Sequence, residues 1–467
     1  MNSYRGKTLQ CVVFALGVTG SAGVAAADSA EGSVMAREGT TELTPLRPDL
    51  NARRTHAFER ASAGDWAAAA EEFVALAGLT RAAVDRLAAQ RSLAQIGKTL
   101  EAITQGEALQ SNLADLPEPE AQAAVAELAT LHTTHAYRLR AEGLALASAR
   151  SLERALELDP SRVRLHADAG YAWLAAGDRD AAAEHFIRAI DGLSSDRPRM
   201  PAVPAAQSDD VFLVERLRRE LRELRRQWTI AVFQSWRPSQ GGPSAAFAGL
   251  QRDGLIAAQG GVELAWRAPS AIAGAGERST ELFLRTLWSQ RGDALAIDGR
   301  SVQGTAGLRW QPIAGSALRI SAEGLFAVGE AARNDWLLRV AWGHNEGDEV
   351  PLGRSRWTAR SLYVDVGRFF RGDGSNAAYA EWREGVAFAS GANWVVVPHL
   401  MVAGRAVRPD PFKESWAEAG PGIAWRRSFG GTAREADRGR IEIALQYRFE
   451  ISGAARQGWM VTGALVW

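Results

Sequence analysis

Residues 441–451 read IEIALQYRFEI and residues 459–467 read WMVTGALVW. In the first run Ile441, Ile443, Leu445, Tyr447, Phe449 and Ile451 share one face, while Glu442, Gln446, Arg448 and Glu450 lie on the other. In the second, Trp459, Val461, Leu465 and Trp467 fall together. Side chains alternate across a strand with period two, so each run carries an apolar face and a small or polar face. One such strand fits a soluble β-sandwich as well as a barrel wall. Two in succession, with aromatic residues on the apolar side, point to the closing strands of an outer-membrane β-barrel.

The same period runs backward through the sequence to Gln227. Strands are predicted near residues 227–236, 256–267, 279–289, 300–310, 316–328, 334–344, 356–370, 376–389, 394–407, 414–427, 440–452 and 457–467. That is about twelve, with ten to sixteen left open because the connections near 268–278, 345–355 and 428–439 are long for the side that holds the N-terminus. Of 16 tryptophans only Trp66 and Trp173 precede this half. Indole favours the membrane interface, where an apolar body meets a wet N–H. Trp228 and Trp236 share a face, as do Trp459 and Trp467, and eight residues of strand span roughly 26 Å. With the usual tilt that height approaches the apolar band of about 25 Å that aromatic girdles flank. Trp228, Trp236, Trp310, Trp336, Trp342, Trp459 and Trp467 are therefore the expected interface aromatics.

The 467-residue chain balances 54 basic against 54 acidic side chains, so nothing in its charge calls for a nucleic-acid partner. Arg5 and Lys7 precede an apolar stretch from Leu9 to Val24 and then Ala25-Ala26-Ala27, the pattern of a signal peptide over residues 1–27. The single cysteine, Cys11, lies inside it, which leaves the mature chain without a thiol, a disulfide or a cysteine metal site. Residues 28–44 read as a flexible segment. No later run of 18 apolar residues appears, so an exported chain that remains in a membrane would have to span it as a barrel.

Residues 45–195 are instead rich in Ala, Leu, Glu and Arg with helical spacing, and they repeat. Ala149, Leu152, Arg154 and Ala155 recur 34 residues later as Ala183, Phe186, Arg188 and Ala189, the period of tetratricopeptide helix pairs. Ala169, Gly170, Tyr171 and Ala175 supply small and aromatic packing positions between them. A third copy is THAFERASAGDWAAAAEEFVALAGL (55–79), and the stretch from 82 to 130 is helical but degenerate. Such repeats dock proteins, or else act as a spacer before the barrel. His132 and His135 stand three apart on a helix and read as a surface pair without a third metal ligand. The Pro-rich run that follows makes 196–208 a linker, and residues 209–226 form one more helix with Val211, Val214, Leu217, Leu221 and Leu224 on a stripe opposite arginines. That helix either lies under the barrel mouth or enters it as a plug. The expected fold is thus α + β multidomain: a tetratricopeptide-like α-helical solenoid, then an antiparallel outer-membrane β-barrel over residues 227–467.

The order of these features resembles the exporters of cellulose and poly-N-acetylglucosamine. LRRQWTIAVFQSWR (224–237), SLYVDVGRFFRGDG (361–374) and the final strands resemble more closely the C-terminal domain of the NfrA family, the bacteriophage adsorption protein A, over residues 209 to 467. The resemblance implies an outer-membrane protein that helps pass a surface polysaccharide and serves as a phage attachment site. It brings no catalytic residues, and the helical part here is much shorter than family members usually carry.

If the alternation holds, Arg285, Gln303, Arg309, Arg319, Glu323, Arg339, Asp365, Glu381, Arg383, Glu442, Gln446 and Arg448 face the lumen. Mixed charge and amides there offer weak, multi-site contact to a polysaccharide chain delivered by an inner-membrane synthase. The alternative is that these groups pair with one another across a closed barrel. The matching alternative function is a non-conducting receptor or scaffold, recognised by phage tail proteins at outer loops such as 237–255 and 290–299, with the repeats tethering periplasmic partners. No nucleophile-elbow, metal or phosphate-loop signature argues for an enzyme or a cofactor, and RGDGS (371–375) and GAGE (274–277) read as turns.

Overall fold

The computed structural model describes residues 48–195 and 209–467, apart from 238–255, 270–278, 292–296, 314–315, 352, 372–373, 391–392, 410–414 and 454–456. The expected signal peptide, the 28–44 segment, the 196–208 linker, the 274–277 turn, residues 372–373 of the second turn and most of the two outer-loop candidates lie outside the described residues. The chain divides into the units Met1–Asn51 and Ala52–Trp467. The described part of the first is the start of one helix, and the second holds everything below.

Eight helices form four consecutive pairs: α1 Pro48–Ser62 with α2 Trp66–Thr80, α3 Ala83–Gln95 with α4 Thr99–Leu109, α5 Glu118–Ala141 with α6 Ala145–Leu158, and α7 Leu165–Ala176 with α8 Arg179–Ser195. Each pair turns on a glycine with positive φ, at Gly64, Gly97, Gly143 and Gly177. Glycine occupies that left-handed region without a Cβ penalty, so it ends the first helix of each pair and lets the second fold back. Gly97 belongs to the degenerate copy. A 3-10 segment at Gln110–Asp115 and the long α5 separate it from Gly143 and break the 34-residue period there. Within the last pair, a Cβ on Gly170 would lie 2.4 Å from the Phe186 ring, so close packing demands glycine. A ninth helix, α9 Asp209–Arg225, lays its fully buried Leu217 and Leu221 on Ala182, Phe186, Ala189 and Ile190 of α8 and closes the stack. Burying two leucines contributes about 3–6 kcal/mol at the usual value per side chain.

His132 is not the surface residue expected. It is 8% exposed, with Nε2 2.9 Å from the Glu107 carboxylate, which Arg154 also grips at 2.7 and 2.8 Å. The i, i+3 stripe that carries His132 faces α4 and α6, and His135 beside it is only half-exposed. A carboxylate partner for His132 therefore exists, though no group of three or more metal-type ligands occurs among the described residues. A second pair, His166 and His185, sits Nδ1 to Nδ1 at 3.0 Å between α7 and α8.

The rest of the chain forms β1 Trp228–Trp236, β2 Ile256–Arg267, β3 Thr280–Arg291, β4 Ile297–Trp310, β5 Arg319–Ala327, β6 Asp335–Glu346, β7 Arg356–Phe369, β8 Asn376–Ala389, β9 Trp394–Arg408, β10 Trp416–Phe429, β11 Gly439–Gly453 and β12 Gly458–Val466. Each pairs antiparallel with its neighbours and β12 returns to β1, so the sheet is a closed barrel of twelve strands. At the seam Ala231 to Trp236 register with Val466 to Val461, and Ile230 and Trp467 exchange N–H···O bonds of 2.9 and 2.8 Å. Ile230, Val232, Leu264, Leu284, Leu338, Val340, Leu400 and Ile443 project outward and stay exposed. Trp228, Trp310, Trp342 and Trp467 stand on that apolar exterior toward the α9 end, joined by Trp266, Trp394 and Trp425. Trp236, Trp336 and Trp459 stand toward the far end. Trp357 and Trp416, by contrast, point inward and are buried.

Two outcomes follow. Leu221→Ala should remove about 2–5 kcal/mol from the helical domain, read as an earlier loss of helical circular dichroism while the barrel's heat-resistant gel mobility is retained. For the histidines, burial is the first cause that lowers His166, His185 and His132, and it takes His166 from 6.5 to about 4. The unfolded chain then binds these protons first, so helical-domain stability is full above about pH 6.5 and falls as pH drops toward about 4. Thermal melts across that window should show the fall, and His166→Gln with His185→Gln should flatten it.

Candidate functional site

The α9 helix ends at Arg225 and β1 begins at Trp228, so the helix cannot leave the barrel rim. It crosses the mouth there. At the end of β2, Arg267 donates to the Glu223 carbonyl at 3.0 Å. On the β6–β7 connection Glu349 pairs with Arg219, and with Arg222 at 3.2 Å. On the β10–β11 connection Arg225 pairs with Glu435 at 2.8 Å, Arg222 and Arg226 donate to the carbonyls of Asp437 and Arg438 at 3.1 and 2.7 Å, and Arg218 bonds the Thr432 carbonyl. In a twelve-strand ring, β2, β6 and β10 are one third of the circumference apart. A helix held at all three spans the opening. Two of the long connections, near 345–355 and 428–439, are the platform that holds it.

The β6–β7 connection also folds inward. Asp348 reaches Arg426 of β10 at 3.2 Å and Arg440 of β11 at 2.9 Å, while its neighbour Glu349 faces α9. Burial alone would raise Glu435, but hydrogen bonds from Arg225 and Arg438 outweigh it and hold its carboxyl below the usual range. The latch stays ionised through neutral pH.

Inside the wall, all twelve residues assigned to the lumen face inward, and most of them pair with one another. Arg285 lies 2.6 Å from Glu263 and 3.3 Å from Glu323; Arg309 reaches Glu263 at 2.9 Å and Glu281 at 3.2 Å; Arg319 reaches Glu281 at 3.7 Å. Arg339 joins Glu323 at 3.3 Å to Asp365 at 3.8 Å. A second group crosses the lumen: Arg383 on β8 touches Glu381 at 2.6 Å and Glu442 on β11 at 3.1 Å, and Arg426 holds Glu442 at 2.6 Å. Arg448 lies 3.9 Å from Glu381 and 3.7 Å from Glu418, and donates to Gln446 at 2.7 Å. Gln446 in turn meets His399 at 3.0 Å, and Arg237 just beyond β1 pairs with Glu418 on β10 at 2.5 Å. Gln303 bonds the Phe326 carbonyl at 2.6 Å and accepts from the Arg333 amide at 2.9 Å. Sequence reasoning missed Glu263, Glu281, Glu418, Arg426 and His399. The parity of β2, β3, β9 and β10 carries the signal: Glu263, for example, lies between outward Val262 and Leu264.

Residues 292–463 match the family model described as "Bacteriophage N adsorption protein A C-term". Most of the barrel wall is therefore similar to the C-terminal domain of that adsorption protein. That stretch runs from the β3–β4 connection into β12, and the expected start at 209 is not part of the match. Among solved structures, the chain is similar to the beta domain of the Bordetella autotransporter BrkA, at 12% identity and a TM-score of 0.28, over 52% of this chain and 99% of that one. It is also similar to MamA from Desulfovibrio magneticus RS-1, at 15% identity and a TM-score of 0.19, over 32% and 99%. A thermophilic TPR protein of Thermus thermophilus matches at 17% identity and a TM-score of 0.18, over 38% and 80%. No curated protein matches the chain. The closed barrel, its apolar tryptophan-flanked exterior and the similarity of residues 292–463 to that adsorption-protein domain fit an outer-membrane protein.

Removing one partner of a buried ion pair leaves an uncompensated charge, at a cost of about 3–5 kcal/mol. Glu323→Ala removes the carboxylate that Arg285 and Arg339 share, leaving Glu263 to the first and Asp365 to the second, and should lower the stability of the detergent-folded barrel, read from its urea midpoint, by up to that amount. Glu330→Ala, in an exposed pair at 3.6 Å, should leave it unchanged.

Proposed function

We propose that this protein is a non-catalytic outer-membrane receptor and anchor, closed at rest, whose far-side connections serve bacteriophage adsorption through phage tail proteins. In this reading the α9 end and the repeats face the periplasm, and the repeats dock periplasmic or inner-membrane components. One observation carries it: α9 and the inward-folded β6–β7 connection lie across one mouth, above a lumen crossed by ion pairs. Such a barrel anchors and displays without conducting.

A second reading is favoured by how that closure is made. Its attachments are ion pairs and arginine–backbone hydrogen bonds, none of them a strand-to-strand bond of the wall, so they can be released without breaking the barrel. Release would open a path of mixed charge and amide groups, suited to weak multi-site contact with a surface exopolysaccharide supplied by an inner-membrane synthase.

Single-channel conductance in planar bilayers separates the two. The wild type is expected to be silent, and Asp348→Ala with Glu349→Ala to give discrete steps. Wild-type steps that bacterial exopolysaccharide blocks reversibly would replace the closed receptor with the export conduit.

A further inference from the structure

A cleft of about 600 Å³ opens where the α7–α8 turn, the end of α9 and the rim of β2 and β3 meet. Trp173 and Trp266 form its aromatic walls, and Arg179, Arg226 and Arg267 converge on it. None of the three guanidiniums has a carboxylate at hydrogen-bonding distance among the described residues. Arg179 donates to the carbonyls of Glu223 and Leu224 at 3.1 and 2.9 Å, Arg226 to that of Arg438, and Arg267 to that of Glu223. Their nearest carboxylates are Glu223, 3.8 Å from Arg226, and Glu281, 3.9 Å from Arg267. Asp178 and Asp180 also border the cleft, but both are exposed, and Asp178 caps α8 through the Ala181 amide at 3.0 Å. Burial, the largest cause, holds Arg179 and Arg226 below the ordinary arginine range, so their charge is short of compensation.

The position of the cleft decides what could compensate it. Trp266 belongs to the tryptophan belt and packs at 6.4 Å from Trp228. Beyond it, away from the cleft, Leu264 and Val262 of β2 and Leu282 and Leu284 of β3 lie exposed on the barrel exterior. A polar pocket with planar cationic donors therefore adjoins an apolar strip through one indole, which is the sequence headgroup, interface, acyl chain. Arginine forks match phosphate oxygens bidentately. Arg267 shares its strand face with Glu263, so the cleft opens at the rim itself, with Trp266 on its outer side.

We propose that the cleft seats the anionic phosphate headgroup of a glycerophospholipid from the leaflet on the α9 side, its acyl chains lying along Val262, Leu264, Leu282 and Leu284. The lipid bridges the last helix pair to the barrel wall, beside the helix that covers the mouth.

Native mass spectrometry of the full chain, released from nanodiscs of phosphatidylcholine with phosphatidylglycerol, tests this. The wild type should retain phosphatidylglycerol in preference to phosphatidylcholine. Arg179→Gln with Arg267→Gln should retain it at least about tenfold more weakly, the loss expected for two charge-assisted hydrogen bonds. Equal retention by both proteins, or no preference between the lipids, overturns the proposal. An adduct formed with inorganic phosphate alone, and no retained lipid, identifies a free-phosphate site and overturns it as well. Because Arg179 also holds the end of α9, a second measurement uses the unaltered chain: phosphatidylglycerol with a photoactivatable headgroup should label peptides containing Trp173 or Trp266. Labelling only elsewhere, or protection of these peptides by a soluble oligosaccharide, sinks it.

Discussion

The hydrogen-bonded seam between β1 and β12 is the constraint on which the rest depends. In hydrocarbon an unpaired backbone N–H or C=O has no water to turn to, so a sheet spans only when its edges meet. Here six consecutive pairs, Ala231 to Trp236 against Val466 to Val461, join the first strand to the last. An even strand number then places the start of β1 and the end of β12 on the same side. The α9 helix leads into β1 through only Arg226 and Gln227, a reach of about 10 Å at most. Closure of the seam therefore fixes α9 at the mouth before any side chain is considered.

What α9 does there follows from its two faces. Leu217 and Leu221 satisfy the open apolar side of α8, as the terminal helix of a repeat stack must. Arg218, Arg219, Arg222 and Arg225 on the other face meet carboxylates and carbonyls of two barrel connections. One helix thus caps the solenoid with its apolar stripe and the barrel with its basic one. A shift of α8 relative to the wall must break either leucine packing or arginine contacts, and the latter are partly exposed and weaker individually.

Much of this was legible because each half has a strict local period. Alternation from Trp228 to Trp467 located all twelve strands to within a few residues, since an apolar exterior and a polar interior leave little freedom of register. The inward set was legible on the same ground, and so were Leu217 and Leu221. Contacts of high sequence separation were not: Arg225 and Glu435 are 210 residues apart and nothing local marks them as partners. The second pair read only as a degenerate copy because α5 is long, although Gly97 kept the turn chemistry of Gly64, Gly143 and Gly177. His132 was misread because helical spacing says which residues share a stripe, not which neighbouring helix covers it.

The ion pairs inside the barrel answer a demand made before folding. A strand that alternates leucine or valine with arginine or glutamate never assembles a long apolar run, and the whole chain has a mean hydropathy of only −0.17. Such segments are poor candidates for retention as membrane helices, whereas strands apolar on both faces would not be. The polar residues must then find partners in the finished lumen, where most of them are buried. Arg383 with Glu442, Arg448 with Glu381 and Arg237 with Glu418 each bridge strands three places apart, so satisfying them draws walls a quarter of the ring apart toward one another across the lumen. The ion pairs that cross the interior are in this sense a consequence of the same alternation that builds the wall, and the α9 latch adds to a passage already crossed by its own side chains.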